Sequence, residues 1–580
     1  MAPVDPHTPL GRLASLVGLA IEGVPATSCT PGVQAPDDEI VRAILEDALD
    51  VPLTTNADIS DALAHEQHGP PIEPVIIAWN GVFEPVQVGS SLQGAILVTE
   101  VGSSIAADTS NGTIRFDSVL PLGVHTLSVG VSGREVLSIV FSAPRRVPTP
   151  DKRFWGVFAS AFALRGADDH GVGNFTALRQ LAHSVHQLGG EFIATLPLLP
   201  VFLDTPQVIV PFAPVTRVGW NMLNIDLALA PGAEAIADVV IDPPDRIPRL
   251  VDYPEVVRRF RGSLTAYAAV VRDHPALRAQ LDRFLVSNPR IMHYARFRSL
   301  GETMSRDWRR WPAPWRQGDL TNAPVDPDIE LIHQVGQWLA FTQIQSLMDE
   351  MRDRGQRLQL EVTMSVHPMG FDVWSDQRLH MSRTRVFEPP DGTAAGSEWG
   401  HLAARPQRSR RRGYYDFHET LRHHAQGGFI RIDQISALWR TWCVPEGADS
   451  TQGAYLHHNA EEHLALVCLE AHRSSAFVTG GNLSSAPRHI RDRVKAAGVL
   501  DPLLDARSDQ TRRNHNQSLS KVSGPAALIH LDELLADYGP RPLGQTENDR
   551  FRVRHPKGFN ASLDDDRVRG WVEEFATSWI

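Results

Sequence analysis

The chain has 580 residues, of which 42% are hydrophobic and 21% charged, with a formal net charge of -12. This composition is globular, supports a large core and more than one domain, and its negative balance argues against a general nucleic-acid binder. Three cysteines without metal-ligand spacing (Cys29, Cys443, Cys468) exclude a disulfide framework; the N-terminus "MAPVDPHTPL" lacks signal-peptide regions and no apolar run is long enough to cross a bilayer, so a soluble, cytoplasmic protein with no membrane partner is expected.

Residues 1–70 read as a small helical segment: "LGRLASLVGLA" has helical apolar spacing, and "DDEIVRAILEDAL" carries acids in its first turn. Residues 71–147 change rhythm. "PVIIAWNG", "QGAILVTEVG" and "VHTLSVGVSGREVLSIVFSAP" are short, β-branched and broken by glycine, which predicts a small antiparallel β-sandwich domain. "APRRVPTPDKR" is a Pro-rich linker.

Residues 148–580 alternate strand, loop and helix. "EFIATLPLLPVF", "RLQLEVTMSVHP", "GGFIRIDQI", "SSAFVTGG" and "AALIHLDEL" are apolar runs suited to strands buried on both faces. "NFTALRQLAHSVHQLGG" puts Leu178, Leu181, Ala182, Val185 and Leu188 on one helical face, with Gly189 placed to end it. "DIELIHQVGQWLAFTQIQSLMDEMRDRG" is a long amphipathic helix, and "AEEHLALVCLEAHR" starts acidic and ends basic, matching the helix dipole. Alternating βα units imply a parallel sheet, in a barrel or a doubly wound form; a region of about 430 residues fits an α/β fold of the (β/α)8 TIM-barrel kind with insertions. The run "RSRRR" reads as a solvated loop, and His418, His423 and His424 in "HETLRHHAQGG" as surface histidines rather than metal ligands.

A barrel carries its chemistry at the C-terminal ends of its strands. "GGFIRIDQISALWRTWCVPEG" places Arg431 and Asp433 at such an end, on one face by the period of two. An Asp beside an Arg is held ionised and can attack an anomeric carbon; the same pair can equally be a structural ion pair.

These and other motifs resemble, in order along the chain, the amylomaltases, 4-α-glucanotransferases with an extra N-terminal β domain. "LPLGVHTLSV" is similar to that β domain, and "RGADDHGVGNFTAL" to the Gly-x-Gly-Asp-Phe stretch leading into the barrel. "VPFAPVTRVGWNMLNIDL" keeps the family's Asn as Asn221 and its Asp as Asp226. "EVTMSVHPMGFDVW" and "EPPDGTAAGSEWG" resemble two further family stretches, and "IRIDQISALWRTWCVPEG" resembles the nucleophile strand, usually Arg-Ile-Asp-His. The resemblance implies glucosyl transfer between α-1,4-glucans or maltooligosaccharides by retaining double displacement, with no metal and no organic cofactor. It implies Asp433 as nucleophile and Arg431 as its orienting partner, and substrate contacts from His367, Asp372, Trp374, Trp399 and Asn221, the two tryptophans being equally suited to core positions.

The same resemblance exposes departures. Gln434 stands where the family has His. "VTGGNLSS" aligns with Val-x-Gly-Glu-Asp-Leu-Gly, so Gly481 occupies the general acid/base position and Asn482 the neighbouring Asp. "NHNQS" supplies His515 and Asn516 where a transition-state-stabilising His-Asp pair is expected, in a stretch shortened against the family. Phe212 replaces a Tyr, Met369 a polar residue, and Asn174 and Glu361 two Asp residues. Three outcomes stay open: transfer with Glu398 or Asp532 as substitute acid, a non-catalytic binder of glucan or of an unnamed protein partner, and chemistry on an activated donor that needs no proton.

Overall fold

A computed structural model describes residues 4–23, 35–166, 170–204, 210–236, 250–388, 398–483, 486–500, 504–505, 526–530 and 569. The chain divides into two compact units, one of Met1–Pro148, Asp376–His423 and Gln434–Val499, the other of Thr149–Ser375, His424–Asp433 and Leu500–Ile580.

In the first unit, helices Pro9–Val17 and Asp38–Leu49 start where Thr8 and Asp37 accept from backbone N–H groups of the first turn, which relieves donors a helix cannot satisfy itself. Their apolar faces, with Ile59 and Leu63 of helix Asn56–His68, share a core with Met381, Val386, Cys443 and Leu456. Those four come from an antiparallel sheet of Glu398–Ala404, His380–Phe387, Arg440–Pro445 and Ala454–His457. Buried Asp47 ties helix to sheet: it accepts from Ser382 N (2.9 Å) and Arg383 N (2.7 Å), and pairs with Arg405 at 3.1 Å.

A second sheet orders its strands Val75–Trp79, Arg134–Ala143, Gly123–Val131, Leu92–Val98 and Ser104–Ala106. All its pairings are antiparallel except the first, which is parallel; the long stretch between Trp79 and Arg134 supplies the crossover a parallel pair requires.

The second unit is the TIM-barrel-like α/β part. Strands Gly428–Ile432, Arg357–Val362, Phe192–Ala194, Phe154–Phe158, Ala526–His530 and Leu504–Asp505 lie side by side in that order, and every one of these pairings is parallel. The last of them in the chain, Ala526–His530, pairs with the first, Phe154–Phe158, as barrel closure demands. Gly156 allows the close approach: a Cβ there would sit 2.3 Å from Phe192 O and 2.5 Å from its ring. Helix Phe175–Gln187 buries Leu178, Leu181, Ala182 and Val185 as its spacing predicts, and Asn174 caps it by accepting from Ala177 N at 2.9 Å. Helix Pro327–Asp353 crosses the same core.

The histidines of helix Tyr415–Ala425 correct the surface expectation. His418, His423 and His424 are only 6%, 6% and 1% exposed. His418 Nε2 lies 2.7 Å from Glu470 Oε1, and the His424 ring packs 6.4 Å from that of Trp220. Three of the four arginines of the run are likewise paired. Arg408 meets Asp50 at 3.0 Å, Arg410 meets Glu73 at 2.7 Å and Glu462 at 2.8 Å, and Arg412 pairs with Asp376. Among the described residues no group of histidine, cysteine and carboxylate side chains is placed to hold a metal, and no helix is long and apolar enough to cross a membrane.

Candidate active site

Strand Gly428–Ile432 buries Phe429, Ile430 and Ile432 completely and leaves Arg431 partly open. The ladder runs one residue past the strand, where Asp433 N donates to Val362 O at 3.0 Å. Asp433 is thereby fixed at the C-terminal end of a barrel strand, its side chain 25% exposed, with Oδ1 3.8 Å from Arg431 Nη1. Directly opposite Arg431 in the parallel register is Glu361. Its carboxylate, 5% exposed, forms an ion pair and hydrogen bond with the same Nη1. Arg431 is therefore shared, with Glu361 as the nearer anion. The sequence marks Glu361 only as a replacement; a carboxylate inside the otherwise apolar stretch "LQLEV" is the available signal.

Gln434 follows in the left-handed region, at φ 50° and ψ 58°. For a residue with a Cβ this costs about 1–3 kcal/mol and is held by its surroundings. It turns the chain into the short helix Ile435–Leu438. Ile435 N donates to Gly481 O at 3.2 Å, and a Cβ on Gly480 would fall 2.8 Å from Ile435 Cδ1. Gly481, buried at the end of strand Phe477–Gly480, thus contributes its backbone to the fold. Asn482 is exposed, at φ 52°.

Asp372 and Trp374 are placed otherwise than expected for substrate contacts. The segment 367–374 is zipped onto 214–217 by bonds from His367 N to Pro214 O and from Phe371 N to Val215 O. Asp372 is the buried peg: it accepts from Thr216 Oγ1 (2.7 Å) and Arg217 N (2.9 Å), and pairs with Arg290 (2.8 Å) and Arg217 (3.6 Å). Burial pushes its carboxyl up, but Arg290, Arg217 and the hydrogen bonds outweigh that and hold it below its ordinary value. Trp374 is 1% exposed, among Phe297, Trp311, Phe371 and His293, with Nε1 donating to Trp315 O at 2.9 Å. No ring face is left for a sugar, because the short helix Phe371–Ser375 turns its side chains into the aromatic core.

His367 is half-buried, edge-on to Phe202 at 5.0 Å, and its Nδ1 accepts from Met369 N at 3.0 Å. That bond assigns the neutral ring's proton to Nε2. Burial first, then Arg306 and Arg309, push the imidazole down to about 4. Asn221 accepts from Leu223 N through Oδ1 at 3.1 Å and faces a cleft beside Thr195 and Asn224. His515, Asn516 and Asp532 lie outside the described residues, as do the side chains of Glu398 and Trp399. The structure thus brings Arg431, Asp433 and Glu361 together, and moves Asp372 and Trp374 into supporting roles.

The comparisons accord with this framework. A family model described as 4-alpha-glucanotransferase matches residues 159–513. A 4-alpha-glucanotransferase of Mycobacterium tuberculosis is 29% identical over 429 residues, covering 66% of this chain and 56% of that protein; the chain thus spans little more than half the length of this relative. Among solved structures, amylomaltase from Corynebacterium glutamicum superposes with a TM-score of 0.70 at 20% identity, over 86% of this chain and 75% of that one. An amylomaltase from Streptococcus agalactiae, solved with acarbose, gives 0.63 at 15% identity over 74% and 99%.

Proposed function

From the premise that this chain belongs to the 4-alpha-glucanotransferase family, we propose that it binds α-1,4-glucans or maltooligosaccharides in the cytoplasm and does not perform the family's proton-assisted transfer at a normal rate. The carrying observation is a contrast within the motif set. Asp433 is held at its strand end, a quarter exposed, beside Arg431; the position aligned with the proton donor is Gly481. Glycine cannot protonate a leaving alkoxide, and general acid assistance is worth ~10²–10⁴-fold. Glu361, the other carboxylate on Arg431, is a poor substitute: it is buried and already committed to the Arg431 guanidinium. Asp433 is the proposed nucleophile position, Gln434 and His367 proposed sugar-facing residues, and Asn516 the proposed place of a lost stabiliser.

The test pairs binding with turnover. Calorimetry with maltooligosaccharides should show heat and thermal stabilisation. Incubation with maltotriose should leave it unchanged under conditions in which an active amylomaltase redistributes it. Glucose and longer oligomers would overturn the loss of transfer; absence of heat would overturn glucan binding. A second reading is favoured by the exposure of Asp433: an activated donor needs no proton. Slow turnover of α-glucosyl fluoride, abolished in Asp433→Asn, would establish it.

A further inference from the structure

Two arginines crowd the imidazole of His367. Arg309 Nη2 donates to Pro368 O at 3.1 Å. The guanidinium of Arg306 lies 5.3 Å from the centre of the Phe202 ring, on which His367 packs edge-on at 5.0 Å. Both arginines come from one stretch, "SRDWRR", directly after helix Pro289–Thr303. It presents Arg306, Arg309 and Arg310 with a single acid, Asp307, which holds Arg309 at 3.6 Å and Arg310 at 3.4 Å. Asp204, the other carboxylate at this rim, is 3.5 Å from buried Arg298. The positive field reaches His367: after burial, Arg306 and Arg309 are what lower it, with Asp204 opposing them. Cations gathered around a neutral N–H donor suit a small anion. The space between Phe202, Arg298, Glu302 and Arg306 is too tight to take a ligand. The anion therefore meets the guanidiniums from the solvent side, where the Arg309 side chain is 39% exposed.

This rim belongs to the end of the barrel that carries Asp433. Strands Phe192–Ala194, Arg357–Val362 and Gly428–Ile432 are parallel neighbours in that order. Phe202 follows the first, His367 the second and Asp433 the third, so all of them stand in C-terminal connections. The missing proton donor selects the anion. Gly481 has no proton to give, so a donor must carry a group that leaves as a stable anion. Phosphate does, with a pKa of about 6, and arginines are well matched to its oxygens. In the monoanion of such a donor, an Asp433 oxygen bonds to C1 as the C1–O bond breaks, and hydrogen phosphate departs with the electron pair. Attack by hydrogen phosphate on the same carbon reverses the step, and no proton moves in either direction.

We propose that the donor is an α-glucosyl phosphate, its phosphate held by Arg306 and Arg309 beside His367. This substrate class rests on the activated-donor reading of Asp433 above. Calorimetry on the full chain compares α-D-glucose 1-phosphate, methyl α-D-glucopyranoside and inorganic phosphate, with Arg306→Gln and Arg309→Gln beside it. Neither arginine is buried, so the variants should fold, which melting curves check. The phosphate ester should bind at least about tenfold more tightly than the methyl glucoside, as expected of charge-assisted hydrogen bonds, and each substitution should remove most of that preference. Labelled inorganic phosphate should exchange into α-D-glucose 1-phosphate, and Asp433→Asn should abolish the exchange. Equal affinities for the phosphate ester and the methyl glucoside would overturn the proposal, as would a preference that both folded variants retain. Turnover of α-glucosyl fluoride without phosphate exchange would sink the phosphate donor and leave the activated-donor reading standing. An arginine-dependent preference with neither exchange nor fluoride turnover would leave the anion site standing and sink that reading, so the two failures are distinguishable.

Discussion

In the proposed reading, strand end Gly428–Asp433 and loop Gly480–Leu483 are the two places that would supply the carboxyl groups of a retaining transferase, and they differ in what they carry. The strand end keeps its charges; the loop carries two glycines and an amide. The difference follows what each position does for the fold. Arg431 is the counter-ion of buried Glu361, so losing it would strand a charge in the core, at about 3–5 kcal/mol. Gly481 serves the fold through its carbonyl, which accepts from Ile435 N, and a backbone carbonyl survives any side-chain change. The charged strand end can therefore be explained by the fold alone, whatever the loop carries. Surviving charge at the strand end is weak evidence of activity until its structural share has been separated out.

The largest expected effect comes from restoring what the loop lacks. Gly481→Glu should raise maltotriose redistribution by ~10²–10⁴-fold over the starting level if a missing proton donor is the main deficit. A folded variant that binds maltotriose with no gain would move the deficit elsewhere, to Gln434 or Asn516.

Next come the carboxylates kept for structure. Asp372→Ala strands Arg290 and Arg217 and removes the acceptor of Thr216 and Arg217 N. It should cost about 3–5 kcal/mol in denaturant unfolding; a loss under 1 kcal/mol would mean that the peg is dispensable and restore Asp372 as a candidate for binding.

Acid should then dissect the same molecule in two windows. Burial pushes His367 and His463 down to about 4 and His458 down to about 3. Below pH 6.5 the unfolded chain takes up protons that these neutral rings refuse, so stability falls from pH 6.5 towards 4. The folded carboxyl of Asp372 lies below its unfolded value, so its contribution is full above about pH 4 and is lost as pH drops further. Melting temperatures across pH 7 to 3 should fall in both windows, and His458→Asn and His463→Asn should each flatten the upper one. A flat profile from 6.5 to 4 would contradict the burial of these rings.

What was legible in the sequence was local. Apolar runs located strands, and the period of helix Phe175–Gln187 located its buried face. Asp433 was legible because it follows directly on the strand run "FIRI", at the end where a barrel carries its chemistry. The misread residues depended on partners far along the chain. His418 is buried because it meets Glu470, and Arg408, Arg410 and Arg412 are paired because Asp50, Glu73, Glu462 and Asp376 come to them. Trp374 and Asp372 were misplaced for a related reason. Their motif identified the segment, but which way its side chains turned depended on the helix carrying Arg290, His293 and Phe297.

The smallest effect bears most directly on the comparison. Asp433 is a quarter exposed, and its carboxylate is 3.8 Å from a guanidinium that already has a closer, buried anion in Glu361. Its backbone rung to Val362 does not involve the side chain. A partly exposed charge at that separation is worth about 0–1 kcal/mol, so Asp433→Asn should leave the unfolding midpoint almost unmoved while Glu361→Gln visibly lowers it. Near-neutrality would mean that the fold has no need of this carboxylate, and its presence would then have to be explained by what it meets in the cleft. Maltooligosaccharide affinity should accordingly drop in Asp433→Asn. A loss of stability as large as that of Glu361→Gln, with affinity unchanged, would make Asp433 as structural as Arg431 and leave the strand end with no more claim to chemistry than the loop.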